Sequence, residues 1–239
     1  MYMENPMISF KNFLNESQWM YHGSPEPNLT YIRSNKSNYS SLDTQIGAHF
    51  ASNPEISKKF SSGLLYPRKN GQGGIKGAVY KTKRPTRSEL ETVPQKKGQH
   101  YDDESVAFHV LSSLFSHPDH KDLFVKWHRN KFASTQEQAS NVHEKLSNKK
   151  NIPFNKKEYG YDKSNMNTFR SYIEHHGPHS FNDEDIHHEI VNKFIDHMKS
   201  KGKKGLVYQN TQGVETAGAR SPKSYIIFEP EKLKVEKHD

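Results

Sequence analysis

The chain of 239 residues carries a formal net charge of +8, and its 31% hydrophobic residues include no cysteine. That length suits one domain, or one domain with a large insertion, while the missing cysteine excludes a disulfide framework, a thiol nucleophile and cysteine-ligated zinc. No apolar run reaches the roughly 20 residues of a membrane span and the N-terminus lacks a signal-peptide core, so we expect a soluble protein that the general secretory route does not export.

The first sixteen residues form an apolar and basic segment that ends in Leu14-Asn15-Glu16. A helix would place its apolar residues Ile8, Phe10, Phe13 and Leu14 on roughly one face. This layout resembles the capsid-targeting peptides of proteins packaged in tailed-phage heads, which a prohead protease cuts after Leu or Ile, any residue, then Glu. The resemblance implies cleavage after Glu16, a place inside the phage virion and later in the host cytoplasm. The alternative is a frayed amphipathic start of a cytoplasmic protein.

The segment after this leader is rich in predicted strands. A strand is predicted from Trp19 to Tyr21, leading into His22-Gly23. Residues 28–45 are predicted to form a polar loop. The following elements are predicted as a strand over 46–51, a helix from Pro54 through Phe60, and a strand after Gly77 that Pro85 ends. We expect Phe50 to enter the core and Phe60 to pack on the sheet.

Residues from about 88 to 200 are predicted to be mainly helical, and we interpret this block as an insertion. Two helices have apolar stripes at helical spacing: Val106, Val110, Leu111 and Leu114 in the first, and Ile186, Ile190, Val191, Phe194 and Met198 in the second. The connecting stretch over 135–167 is polar and is predicted as loop or weak helix. Strands then return as "GLVYQN" and "SYIIFEP", and we predict a hairpin whose long loop holds Glu215. Pro230 ends the last strand, and Leu233 is expected to pack the tail.

Three of these blocks together resemble the ADP-ribosyltransferase superfamily: "YHGS" at 21–24, "GAHFASNPEISKKF" at 47–60 and "GLVYQN" with "SYIIFEPEKLK" within 205–234. Most of all they resemble the domain found in phage and mobile-element polyvalent proteins. The resemblance implies an α+β fold over 17–239, with split antiparallel β-sheets around an NAD cleft and the helical insertion at about 88–200. It also implies NAD as cofactor and a protein or nucleic acid of the host as acceptor.

The resemblance further implies a set of cofactor-binding residues: His22, Gly23, Ser24, His49, Phe50 and Ser224. In it, His22 would hydrogen-bond a ribose hydroxyl of the adenosine half of NAD. Gly23, lacking a side chain, would let the backbone reach the nicotinamide carboxamide. His49 stands where the polymerase branch of the superfamily places a tyrosine that stacks on nicotinamide.

The chain departs from the family at the start of its late strand. The polymerase branch has a catalytic Glu there, whereas this chain has Ser224, which cannot supply the negative charge that stabilises an oxocarbenium ion. Glu215 in the preceding loop is the nearest acid and is the candidate catalytic residue; Glu229 lies near the far end of the strand. Either Glu215 serves from the loop, or the domain is a weak or inactive binding module that engages nucleic acid or a host protein.

Histidine and lysine clusters offer other interpretations. The pairs His117/His120 and His175/His179, and His188 with Glu184, have ligand-like spacing, but no His-Glu-x-x-His motif occurs and we expect no metal site. The net charge of +8 favours polyanionic partners. Lysine runs such as those at 149–150 and 199–204 are more often solvated surfaces.

Overall fold

The computed structural model describes residues 18–34, 42–61, 77–94, 102–150, 167–176, 184–209 and 223–238. The predicted leader and Glu215 lie outside these ranges. The chain divides into two compact units. Among the described residues, the first unit comprises 18–34, 47–61, 77–92, 203–209 and 223–238, and the second comprises 42–46, 93–94, 102–150, 167–176 and 184–202.

The fold is mixed α and β. The described strands are β1 (Trp19–Ser24), β2 (Ala48–Ala51), β3 (Ala78–Lys83), β4 (Leu90–Thr92), β5 (Gly205–Gln209), β6 (Lys223–Ile227) and β7 (Glu236–His238). The described helices are α1 (Leu42–Ile46), α2 (Pro54–Ser61), α3 (Asp102–Phe115), α4 (Lys121–Phe132), α5 (Gln136–Ser147), α6 (Phe169–His176) and α7 (Glu184–Ser200). Short 3-10 turns cover Arg87–Glu89, Pro118–His120 and Pro230–Lys232.

The seven described strands form one hydrogen-bonded sheet in the order β4-β5-β6-β2-β1-β3-β7. All neighbours are antiparallel except β4 and β5, which are parallel. We expected two sheets, and these strands are instead joined in one. The ladder between β1 and β2 is nevertheless a single pair, Tyr21 with Ala51, whereas β2 and β6 share four pairs and β1 and β3 share six. The sheet is therefore most weakly joined between β1 and β2.

The first unit confirms most of the predicted strands and the late hairpin. β5 and β6 are antiparallel partners, and Leu233 packs against the core as expected. Phe50 lies in that core, 2% exposed. The fully or largely buried members of the cluster are Met20, Ile32, Ala48, Phe50, Ala78, Tyr80, Leu90, Tyr225 and Ile227.

Several elements differ from the sequence prediction. The predicted loop over 28–45 contains the start of α1, and the next strand begins at Ala48 rather than at Ile46. β4 lies within the stretch predicted to be helical, and β7 was not predicted at all. Both are three-residue strands, too short to have an alternating pattern, and each is held by its pairing with β5 or β3.

The second unit is helical, and both predicted apolar stripes are buried. The stretch predicted as loop or weak helix contains α5 instead. Its start is fixed by a capping box in which Thr135 Oγ1 accepts from Gln138 N and Gln138 Oε1 accepts from Thr135 N. Among the described residues, no helix is long and apolar enough to cross a membrane.

Candidate functional site

The helix that follows β2 lies unusually close to the sheet of the first unit. A Cβ added to Gly23 would overlap the backbone oxygen of Ser57 and lie 3.0 Å from Phe60 Cβ, and one added to Gly77 would overlap the backbone oxygen of Ser61. Ser57 Oγ also donates a hydrogen bond of 2.9 Å to Tyr21 O. Small residues on both sides thus let α2 approach the backbone of β1. This contact gives Gly23 a packing role in addition to the ligand role that the family resemblance implies.

His22 of β1 links this strand to β2, where the sheet has a single ladder pair. Its Nδ1 donates to the backbone oxygen of His49 at 2.8 Å, since a carbonyl can only accept. Its ring also lies 5.5 Å from that of Phe50, measured between centroids. Burial lowers the pKa of His22, partly offset by the bond to His49 O, so the imidazole is neutral at pH 7. A neutral ring that donates from Nδ1 carries its lone pair on Nε2, which can accept from a hydroxyl.

His49 is held from the neighbouring hairpin. A hydrogen bond of 3.1 Å joins its Nδ1 to the hydroxyl of Tyr208 on β5, and the two rings meet edge to face with centroids 6.4 Å apart. Both side chains lie on the same face of the sheet, because His49 pairs with Ile226 and Tyr208 with Ser224. Tyr208 therefore fixes the orientation of the His49 ring, a role that the sequence analysis did not assign.

Three of the predicted cofactor-binding residues are buried. Ser24 is 6% exposed and its hydroxyl accepts from Glu26 N, Phe50 is a core residue, and Ser224 is 4% exposed. His22, Gly23 and His49 are only partly buried. Of the predicted set, these three present accessible surface around the junction of β1 and β2.

The start of β6 is tied to the end of β2. Ser52 N donates to Lys223 O at 2.9 Å, and Lys223 N donates to Ser52 Oγ at 3.1 Å. Gln209 and Lys223, which flank the segment that contains Glu215 in the sequence, are paired with each other at this end of the sheet. Glu229 lies beyond the other end of β6, where its carboxylate pairs with Lys232 Nζ at 2.9 Å.

Phe60 is the residue that sequence reasoning placed wrongly. It was expected to pack on the sheet, yet it is 39% exposed and lies at the last turn of α2 beside Gly23. The reason is the close approach of the helix: the backbone of Ser57 and Ser61 packs against Gly23 and Gly77, and these two serines are the buried residues of α2, so the Phe60 side chain stays largely exposed. An exposed aromatic ring is a surface on which a planar ring can stack.

The comparisons with known proteins give no further assignment. No protein-family model matches the chain, and neither a curated protein nor a solved structure matches it. The site is therefore defined by its own residues and geometry.

Proposed function

We propose that the protein is an NAD-dependent ADP-ribosyltransferase that modifies a macromolecule of the host. The observation that carries the proposal is the convergence of the three sequence blocks on β1, β2 and the β5–β6 hairpin, with His22 bonded to His49 across the junction. Residues more than 150 positions apart in the chain are thereby brought to four neighbouring strands of one sheet, β5, β6, β2 and β1. If the three short motifs resembled the family only by chance, there would be no reason to expect them on neighbouring strands.

The residues at this junction fit the parts of NAD. The Nε2 lone pair of His22 is suited to a ribose hydroxyl, as the neutral tautomer requires. The ring of Phe60 offers a face for nicotinamide, and the nearby Gly23 backbone offers an N–H and a C=O for its carboxamide. When bound, NAD supplies the activated bond between nicotinamide and ribose.

Cleavage of that bond develops positive charge on the sugar, as in glycoside hydrolysis. A carboxylate near the sugar stabilises this charge, and Glu215 is the residue that we assign to it. Its segment connects the paired residues Gln209 and Lys223. An acceptor nucleophile of the host macromolecule then forms the new bond to the sugar carbon as nicotinamide leaves.

The second candidate is a binding module with the same domain and no turnover. Ser224 favours it, because that residue is buried and neutral where the family has its acid. The module would engage nucleic acid or a host protein.

Transfer of label separates the two candidates. The full chain is incubated with host lysate and NAD labelled in its adenylate half, and free nicotinamide is measured alongside. The enzyme is expected to transfer label to a macromolecule and to release nicotinamide. Absence of both with a folded protein that binds NAD would leave the binding module.

We further propose that the protein is packaged in a phage particle, because Leu14-Asn15-Glu16 resembles the cleavage signal of a capsid-targeting peptide. Protein taken from virions is expected to begin at Ser17. N-terminal sequencing that finds Met1 in mature particles would refute the processing signal.

A further inference from the structure

Three histidines of the second unit lie against one another. His117 precedes the turn Pro118–His120, His120 ends that turn, and His197 lies in the last turn of α7. Their ring centroids are 5.4 Å apart for His117 and His120, 5.0 Å for His117 and His197, and 5.8 Å for His120 and His197. All three side chains are partly exposed. Only one of the three pairs, His117 with His120, is apparent from sequence spacing.

We propose that His117, His120 and His197 form a binding site for a divalent transition-metal ion such as Zn²⁺ or Co²⁺. With a metal–nitrogen bond of about 2.1 Å, the centroid of a bound imidazole lies about 3.2 Å from the metal, and two such centroids on a tetrahedral ion lie about 5.2 Å apart. The three observed separations bracket this value. This site is independent of the NAD site proposed for the first unit.

The cluster has a carboxylate next to it that could act as a fourth donor. The three imidazoles bind a metal ion in their neutral form. Asp119 provides this carboxylate, since its Oδ2 lies 3.7 Å from His117 Nδ1.

The rings must turn for the nitrogens to converge. As the side chains lie, no group of three or more His, Asp or Glu residues in the described part of the chain is arranged to hold a metal ion. Rotation of the His117 ring breaks the long hydrogen bond of 3.4 Å that its Nδ1 accepts from Asp119 N and changes its contact of 3.7 Å with Asp119 Oδ2. Lys193 and Lys201 act electrostatically on this cluster and oppose a cation. We therefore expect weaker binding than at a structural zinc site.

Titration of the full chain with Co²⁺ at neutral pH tests the site. We expect the visible absorption of tetrahedral Co²⁺, its displacement by Zn²⁺, and an affinity lowered about tenfold or more in His197→Gln. His188→Gln, on the same helix but outside the cluster, is the matched control and is expected to bind as the wild type does.

Two results would overturn the site. One is a Co²⁺ spectrum in the wild type that persists when His117, His120 and His197 are all replaced by Gln, since other histidines would then be the ligands. The other is no bound Co²⁺ in the wild type. Circular dichroism identifies variants that fail to fold. The imidazole ¹⁵N chemical shifts of the wild type on adding Zn²⁺ are a second measurement. Changes in the shifts of these three rings would support the site, and the absence of such changes would refute it.

Discussion

The Nδ1 atom of His22 donates to the backbone oxygen of His49 at 2.8 Å, across two strands that share one ladder pair. A side chain thus provides a link where the backbone ladder is thinnest. The same bond fixes the tautomer and leaves Nε2 as the acceptor. His22 therefore connects the structure of the sheet to the chemistry proposed for its surface.

Replacing His22 with Ala is expected to weaken NAD binding and to destabilise the first unit. Loss of one hydrogen bond costs about 0.5 to 1.5 kcal/mol, and the stranded carbonyl of His49 adds to the loss in stability. Calorimetric titration with NAD and urea unfolding measure the two effects. His238→Ala, which removes a ring 5.0 Å from Tyr21 in the same unit, is the control. NAD affinity unchanged in a folded His22→Ala protein would restrict His22 to a structural role.

Gly23→Ala is expected to destabilise the protein by about 1 to 3 kcal/mol, because the new methyl group would overlap the backbone of α2 at Ser57. Backbone atoms cannot turn aside as a flexible side chain does. Urea unfolding of the variant measures the loss. Wild-type stability in Gly23→Ala would mean that α2 lies farther from β1 than described.

Acid is expected to destabilise the second unit through His128. Burial lowers the pKa of His128 to about 4 from 6.5, and the ring is held by Ser134 and Tyr172. The unfolded chain binds the proton first, so stability is full above pH 6.5 and falls as the pH approaches 4, by at most about 3 kcal/mol. Urea unfolding from pH 7 to 4 measures this slope. His128→Gln should be less stable at pH 7 and show a shallower slope; an unchanged slope would contradict the assignment.

Glu215→Gln is expected to slow nicotinamide release by roughly 10²- to 10³-fold with little change in NAD binding, because its charge acts on the transition state. Glu231→Gln, an exposed acid after β6, is the matched control. Full activity in Glu215→Gln would remove the acid assignment. Ser224→Glu would place a carboxylate at a buried position, so we expect a loss of stability from it rather than a gain in rate.

The sequence predicted what depends on local patterns. The apolar stripes of α3 and α7, the β5–β6 hairpin and the burial of Phe50 follow from periodicity and are confirmed. The exposure of Phe60 depends on Gly23 in β1 and on Gly77 just before β3, and the contact of His197 with His117 joins residues 80 positions apart. No local pattern carries such tertiary relationships.

Binding of NAD to the wild type and to Phe60 variants tests the central claim most directly. Calorimetry is expected to detect NAD binding in the wild type, a loss on the order of tenfold in Phe60→Ala, and retention in Phe60→Tyr, which keeps the aromatic face. Tyr31→Ala removes an aromatic side chain of nearly the same exposure, 38% against 39% for Phe60, and should leave the affinity unchanged. A folded wild type that binds no NAD, or a Phe60→Ala variant that binds it as tightly as the wild type, would contradict the site proposed at β1 and β2.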